Sequence, residues 1–212
     1  MDLELAFHEA AHAAEAAVTA AMGKYKSGNV TDEDDLTGVL IGRLDSAFDQ
    51  SYGGINWSSS ILRHRKGIAA QERRVGADML IHVSLNTPGL TYSKGVLIQA
   101  KRVEPNSLMS VAEHNELTAQ CGKMLAVSPA SFVFDYAKTG MRCASANRIF
   151  GSNTRELHSA CNLTPYRFFL ELFRCTIGDQ KIDSAIVDKL NVPEAIHLTG
   201  TVESPRQRRR MQ

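Results

Sequence analysis

The spacing of apolar residues predicts several helices along the chain. Residues 2–23, rich in Ala, Glu and His, are expected to form a helix that stops near Gly23. A second helix is expected to run from an N-cap at Thr31 to Phe48, with a stripe of leucines on one face. Further helices are predicted over residues 109–126, 153–161 and 165–177 and within 182–202.

Alternation of apolar and polar residues predicts strands between these helices. The predicted strands cover residues 55–62, 77–85, 95–103, 131–136 and 141–149, with a further edge strand within 182–202. The order helix, three strands, helix, strand favours an α/β sandwich, in which helices flank a central mixed sheet. No repeat or linker divides the chain. We therefore expect one domain over residues 1–205, with extra N- and C-terminal helices and a disordered basic tail over 206–212.

Composition is typical of a globular protein, and its charge is unevenly distributed. The 212 residues are 43% hydrophobic and 22% charged, with a net charge of +1. Basic side chains nevertheless cluster, and such clusters can neutralise DNA phosphates whatever the total charge. The nucleic-acid-binding candidates are Arg63, Arg65, Lys66, Arg73 and Arg74, and the tail adds Arg206, Arg208, Arg209 and Arg210.

Cysteine spacing and hydropathy narrow the class of protein further. The four cysteines contain no CxxC pair, which argues against a zinc knuckle. No apolar run approaches the roughly 20 residues that span a bilayer. The N-terminus does not have the pattern of a signal peptide. A cytoplasmic protein with reduced thiols is expected.

Polar residues interrupt two consecutive strands that are otherwise apolar. Asp78 stands at the start of the strand 77–85, whereas Gln99 and Lys101 are two residues apart in the strand 95–103 and so share a face. A buried Gln and Lys need partners, because an unpaired charge in a core is costly. An acid on the neighbouring strand, with a divalent cation between them, would provide those partners.

These residues form the pattern D…QxK in two segments separated by a predicted hairpin. The segments are residues 72–78, Glu-Arg-Arg-Val-Gly-Ala-Asp, and residues 96–102, Val-Leu-Ile-Gln-Ala-Lys-Arg. They resemble the core of the PD-(D/E)XK, restriction-endonuclease-like nucleases, and most closely the Mrr-like branch, in which Gln replaces the second acid. Ala77 stands where the family pattern has Pro. The neighbouring helices and strands fit the same order, so the resemblance covers about residues 31–150.

The resemblance implies a Mg²⁺-dependent DNA endonuclease, with Mn²⁺ as a substitute, that hydrolyses phosphodiester bonds in prokaryotic defence against phage or other foreign DNA. Lys101 would orient or activate the attacking water. One carboxylate carries too little negative charge to hold Mg²⁺ firmly, so further acids are expected in the site. The implied ligands are Asp78, the Gln99 side-chain oxygen, the Ala100 carbonyl, Glu33 and, secondarily, Glu72. The implied catalytic residues are Asp78, Gln99, Lys101 and Glu33.

Gln120 and His82 are two further polar residues whose roles are predicted. Gln120 is a candidate for a supporting role, whereas His82 is expected to be a packed or water-facing histidine on the face of Asp78.

No separate target-recognition domain is evident. We therefore expect a homodimer, a partner protein that directs cleavage, or both.

Two alternative functions remain open from the sequence. The first is a catalytically silent nuclease fold that holds DNA or a protein, although Asp78 and Lys101 are both retained. The second is a zinc metallopeptidase, because residues 8–12, His-Glu-Ala-Ala-His, form a literal HExxH motif. Only seven residues precede that motif, which leaves no room for the sheet that aligns a peptide substrate.

Overall fold

A seven-stranded sheet with helices on both faces dominates the computed structural model, which describes residues 1–63, 75–190 and 192–202. The predicted α/β architecture with a mixed sheet is confirmed. The described helices are α1 (Leu3–Lys26), α2 (Glu33–Ala47), α3 (Val111–Val127), α4 (Ala146–Phe150), α5 (Leu157–Ala160), α6 (Pro165–Phe173) and α7 (Ser184–Leu190). The described strands are β1 (Ser51–Tyr52), β2 (Ile55–Arg63), β3 (Met79–Thr87), β4 (Leu90–Lys101), β5 (Ser131–Ala137), β6 (Gly140–Ser145) and β7 (Glu194–Thr201). None of the helices in these ranges is long and apolar enough to cross a membrane.

The order of the strands in the sheet is β1-β2-β7-β3-β4-β5-β6. β3 and β4 form an antiparallel hairpin, whereas β5 runs parallel to β4. β7 pairs antiparallel with β2 and parallel with β3. The prediction of an edge strand near the C-terminus was therefore wrong, because the last described strand occupies the interior of the sheet.

Alternation along the strands divides the core between the two faces of the sheet. On one face, Met79, Ile98 and Phe134 pack with residues of α1, α2 and α6. On the other face, Leu97 and Val133 pack with residues of α3, α4, α5 and α7. Strand residues of odd and even number thus belong to different layers, as the pleat requires.

The start of α2 differs by one residue from its prediction. The N-cap is Asp32 and not Thr31, because the Asp32 carboxylate accepts a hydrogen bond from the Asp34 N–H at 3.0 Å. A carboxylate at this position both caps the helix and interacts favourably with its dipole. Glu33 is consequently the first residue of α2 and lies at the end of the helix near β4.

The predicted strand over residues 141–149 was wrong in its second half. β6 ends at Ser145, whose hydroxyl accepts a hydrogen bond from the Arg148 N–H and caps the short helix α4. Apolar Ile149 and Phe150 gave this segment the composition of a strand. Two helices are also shorter than predicted, since α5 covers only Leu157–Ala160 and α6 ends at Phe173.

Candidate active site

The β3–β4 hairpin brings Asp78 and Gln99 together. Met79 pairs with Ile98, so Asp78, one residue before β3, lies opposite Gln99. Asp78 Oδ2 accepts hydrogen bonds from the Gln99 Nε2 at 2.5 Å and from the Ala100 N–H at 2.8 Å. Both side chains are buried, with 8% of Asp78 and 1% of Gln99 exposed. Two predicted site residues that are 21 positions apart in the sequence are therefore in direct contact.

The Gln99 amide lies between two of the oxygens that were expected to bind a metal. Its Nε2 donates to Asp78 Oδ2 and also to the Ala100 carbonyl, at 3.1 Å. Its Oε1 is buried and accepts no hydrogen bond from any part of the chain that the structure describes. A buried acceptor without a partner is costly, so this oxygen is suited to a further ligand.

Lys101 faces Glu33 across the end of β4. The Lys101 Nζ lies 3.5 Å from a Glu33 carboxylate oxygen, and the two side chains are 19% and 29% exposed. Burial raises the pKa of Glu33 above its ordinary range, whereas the charge of Lys101 lowers it. α2 thus supplies a second acid at the strand end, where the sequence predicted it.

Thr37 and Tyr136 form a buried polar contact beside the first turn of α2. The Thr37 hydroxyl donates to the Glu33 carbonyl at 3.0 Å and lies 3.2 Å from the Tyr136 hydroxyl. Burial raises the pKa of Tyr136, and the charges of Asp78 and Glu33 raise it further. Sequence analysis did not single out Tyr136.

Several other candidates lie outside this group or outside the described residues. His82 is 1% exposed and lies 2.9 Å from the Ser93 hydroxyl and 3.2 Å from His197, as a packed histidine should. Gln120 lies against Gly76 near the start of the hairpin. Arg63 ends β2, but its side chain is not described. The candidates Glu72, Arg65, Lys66, Arg73 and Arg74 and the tail 206–212 fall outside the described ranges.

The HExxH residues are engaged with the neighbouring helix α6. His8 Nδ1 contacts the Tyr166 hydroxyl, and its Nε2 lies 3.2 Å from the Arg174 guanidinium. The His12 ring stacks on the Tyr166 ring with centroids 4.5 Å apart, and Glu9 is exposed. The Arg174 guanidinium and the Glu4 carboxylate both lie against His8 Nε2, so this nitrogen is already engaged in a polar cluster. This surface therefore does not resemble a zinc site.

A pair of polar residues, the buried Asp135 and the partly buried His158, was missed by sequence analysis. Asp135 Oδ2 lies 2.8 Å from His158 Nδ1, and Asp135 Oδ1 accepts from the Val103 N–H at 2.9 Å. Asp135 is a charged residue inside the apolar stretch of β5. Its position could have indicated a buried polar pair, because a buried carboxylate requires partners. Nothing in the sequence indicated that His158, from a short helix, would be one of them.

Comparison with known protein families, with curated proteins and with solved structures finds no match to the chain. Within residues 1–63, 75–190 and 192–202, no group of three or more His, Cys, Asp or Glu side chains could hold a metal ion. The oxygens of Gln99 and of the Ala100 carbonyl do not belong to those residue types.

Proposed function

We propose that the protein is a Mg²⁺-dependent nuclease that hydrolyses phosphodiester bonds in DNA. One observation carries the proposal: the carboxylate of Asp78, the amide of Gln99 and the ammonium group of Lys101 occur on one hairpin, with Glu33 beside the lysine. These groups come from three separate segments of the chain. A carboxylate, further oxygen ligands and a nearby cationic group are what metal-assisted phosphodiester hydrolysis requires.

The donor set supports a magnesium site. The Gln99 NH₂ group, which carries partial positive charge, is held by Asp78 Oδ2 and the Ala100 carbonyl together. These two oxygens therefore face a common position that favours a positive group. Mg²⁺ prefers oxygen ligands of this kind. It would take the position of the Gln99 NH₂ group, with the Gln99 amide turned so that Oε1 faces the ion, and the carboxylate of Glu33 would complete the set.

The roles of the side chains follow from their charges and positions. Bound Mg²⁺ would polarise the phosphate and lower the pKa of a water molecule. Lys101 would orient that water and offset negative charge that develops on the phosphate. Glu33 would hold the Lys101 ammonium group in place through their ion pair and supply negative charge toward the metal.

The proposal is tested by incubating supercoiled plasmid with Mg²⁺ and either wild type or Lys101→Ala. Lys181→Ala is the matched control, because it removes an exposed lysine near Asp179, which pairs with Gly95 in the middle of β4 and not at the end that carries Lys101. We expect nicking by wild type and the control, and a loss of about 10²–10³ in rate for Lys101→Ala. Equal nicking by all three proteins would reject the site.

The cellular role that we propose rests on the resemblance to PD-(D/E)XK nucleases. It is a cytoplasmic nuclease of a prokaryotic defence system, acting as a homodimer or with a partner protein that selects the DNA. The main alternative is a silent nuclease fold that binds DNA or a protein. It predicts that wild type and Lys101→Ala bind DNA alike and that neither cleaves it, with or without partners.

A further inference from the structure

A second polar pair lies one strand away from Lys101. Asp135 of β5 is in register with Lys101 of β4, and paired strands lie about 4.8 Å apart. Paired residues of neighbouring strands project to the same face of a sheet. The carboxylate of Asp135, which is completely buried, therefore lies on the face that also carries Gln99 and Lys101.

Asp135 fixes the orientation of the His158 imidazole. Its Oδ1 is bound by the Val103 N–H, two residues beyond Lys101, and its Oδ2 by His158 Nδ1. The other ring nitrogen of His158, Nε2, points away from Asp135. It makes no hydrogen bond with any residue in the described ranges, and the side chain is 15% exposed. An imidazole oriented by a buried carboxylate, with its second nitrogen open, is an arrangement that transfers protons in enzymes.

We infer that His158 is a catalytic residue of the nuclease, and that its Nε2 gives a proton to the oxygen that leaves when the phosphodiester is cleaved. This inference rests on the proposed function. It separates two tasks between neighbouring groups, since Lys101 stabilises charge at the phosphate and His158 protonates the leaving group.

Cleavage forms one bond to phosphorus and breaks another. The oxygen of a water molecule bonds to phosphorus, and the water loses a proton to solvent. The bond from phosphorus to the leaving oxygen breaks, and its electron pair stays on that oxygen, which takes the Nε2 proton of the imidazolium. The neutral imidazole keeps its Nδ1–H bond to Asp135 and regains a proton from solvent.

A DNA substrate with sulfur in place of the leaving oxygen tests this role. The ends of the wild-type products identify which bridging oxygen leaves, and sulfur is placed at that atom of one mapped linkage. A thiolate departs without a proton, so it does not need a general acid. Wild type and His158→Gln are compared on the two substrates, with His12→Gln as the matched control because His12 is an exposed histidine on α1.

We expect His158→Gln to cleave the ordinary substrate about 10²–10⁴ times more slowly than wild type, which is the usual contribution of general acid catalysis. On the sulfur-bridged substrate it should cleave at nearly the wild-type rate. Asp135→Asn, which keeps the shape of the side chain, should show the same preference for the sulfur substrate. His12→Gln should match wild type on both substrates.

Three outcomes would overturn the inference. If His158→Gln is slowed equally on both substrates, the residue only supports the fold. If it is not slowed on either, the imidazole takes no part in cleavage. In both of these cases the wild type still cleaves, and the proposed function stands. If wild type itself fails to cleave either substrate with Mg²⁺, the proposed function falls and this inference falls with it.

Discussion

Two regions of the molecule carry sequence patterns that are typical of metal sites. They differ in whether the fold brings complementary groups together around the pattern. The HExxH pattern is contiguous and literal, yet His8 lies next to a guanidinium and both of its histidines contact the Tyr166 ring. The D…QxK pattern is spread over the hairpin and is degenerate, yet Asp78 and Gln99 are in hydrogen-bond contact. Glu33 joins Lys101 from a third segment. A short motif is therefore informative only when the fold places complementary groups around it.

Asp78→Ala should give the largest effect in either region. It removes the acceptor of both the Gln99 amide and the Ala100 N–H, so cleavage should fall by about 10³ or more. The two hydrogen-bond donors that are left without an acceptor should also lower the free energy of unfolding by about 1–3 kcal/mol. Plasmid nicking and urea unfolding measure the two effects. Asp78→Asn, which keeps an acceptor, should lose activity and retain most stability; if it keeps full activity, the carboxylate binds no metal.

Glu33→Ala should give the next largest effect on activity. We expect cleavage to fall by about 10²-fold, because the variant removes negative charge from the proposed metal site and also removes the partner of Lys101. Asp34→Ala is the matched control, since Asp34 is an exposed acid of the same helical turn. The same nicking assay measures both variants. Wild-type activity in Glu33→Ala would remove Glu33 from the site.

Asp135→Asn should change how stability depends on pH. Burial raises the pKa of Asp135 to about 6, so its protonated form is favoured in the folded state. The contribution of the raised pKa to the free energy of unfolding is complete below the ordinary Asp pKa of about 3.9, and it is lost as pH rises through about 6. Wild type should therefore lose of order 1–3 kcal/mol relative to the variant between pH 4 and pH 7. Urea unfolding of both proteins at both pH values, without divalent ions, checks this. An equal change in the free energy of unfolding of wild type and variant between the two pH values would contradict it.

His8→Ala should give the smallest effect. It removes the contact with Tyr166 and should lower the free energy of unfolding by about 1 kcal/mol, with nuclease activity unchanged. Metal analysis of wild type and the variant sharpens the comparison. Stoichiometric zinc in wild type that disappears in His8→Ala would restore the peptidase alternative, and His12→Ala should then lose zinc as well.

Local patterns in the sequence predicted most of the elements, whereas long-range pairing could not be predicted. The alternation around Met79 and Ile98 located the hairpin, and the two-residue spacing of Gln99 and Lys101 placed them on one face. The resemblance supplied Glu33, which no local pattern could connect to Lys101. The pairing of Asp135 with His158 remained hidden, because 23 residues separate them and only the packing of a short helix brings them together.

The position of β7 has a consequence for how the sheet forms while the chain is being synthesised. β7 separates β2 from β3, so the two parts of the sheet join only after residues 194–201 have left the ribosome. Until then β2 and β3 each expose an unpaired edge, which is a template for aggregation. A chain that is stopped before Glu194 should therefore accumulate in inclusion bodies even though it contains Asp78, Gln99 and Lys101. The two parts of the native sheet therefore cannot join before β7 has been synthesised.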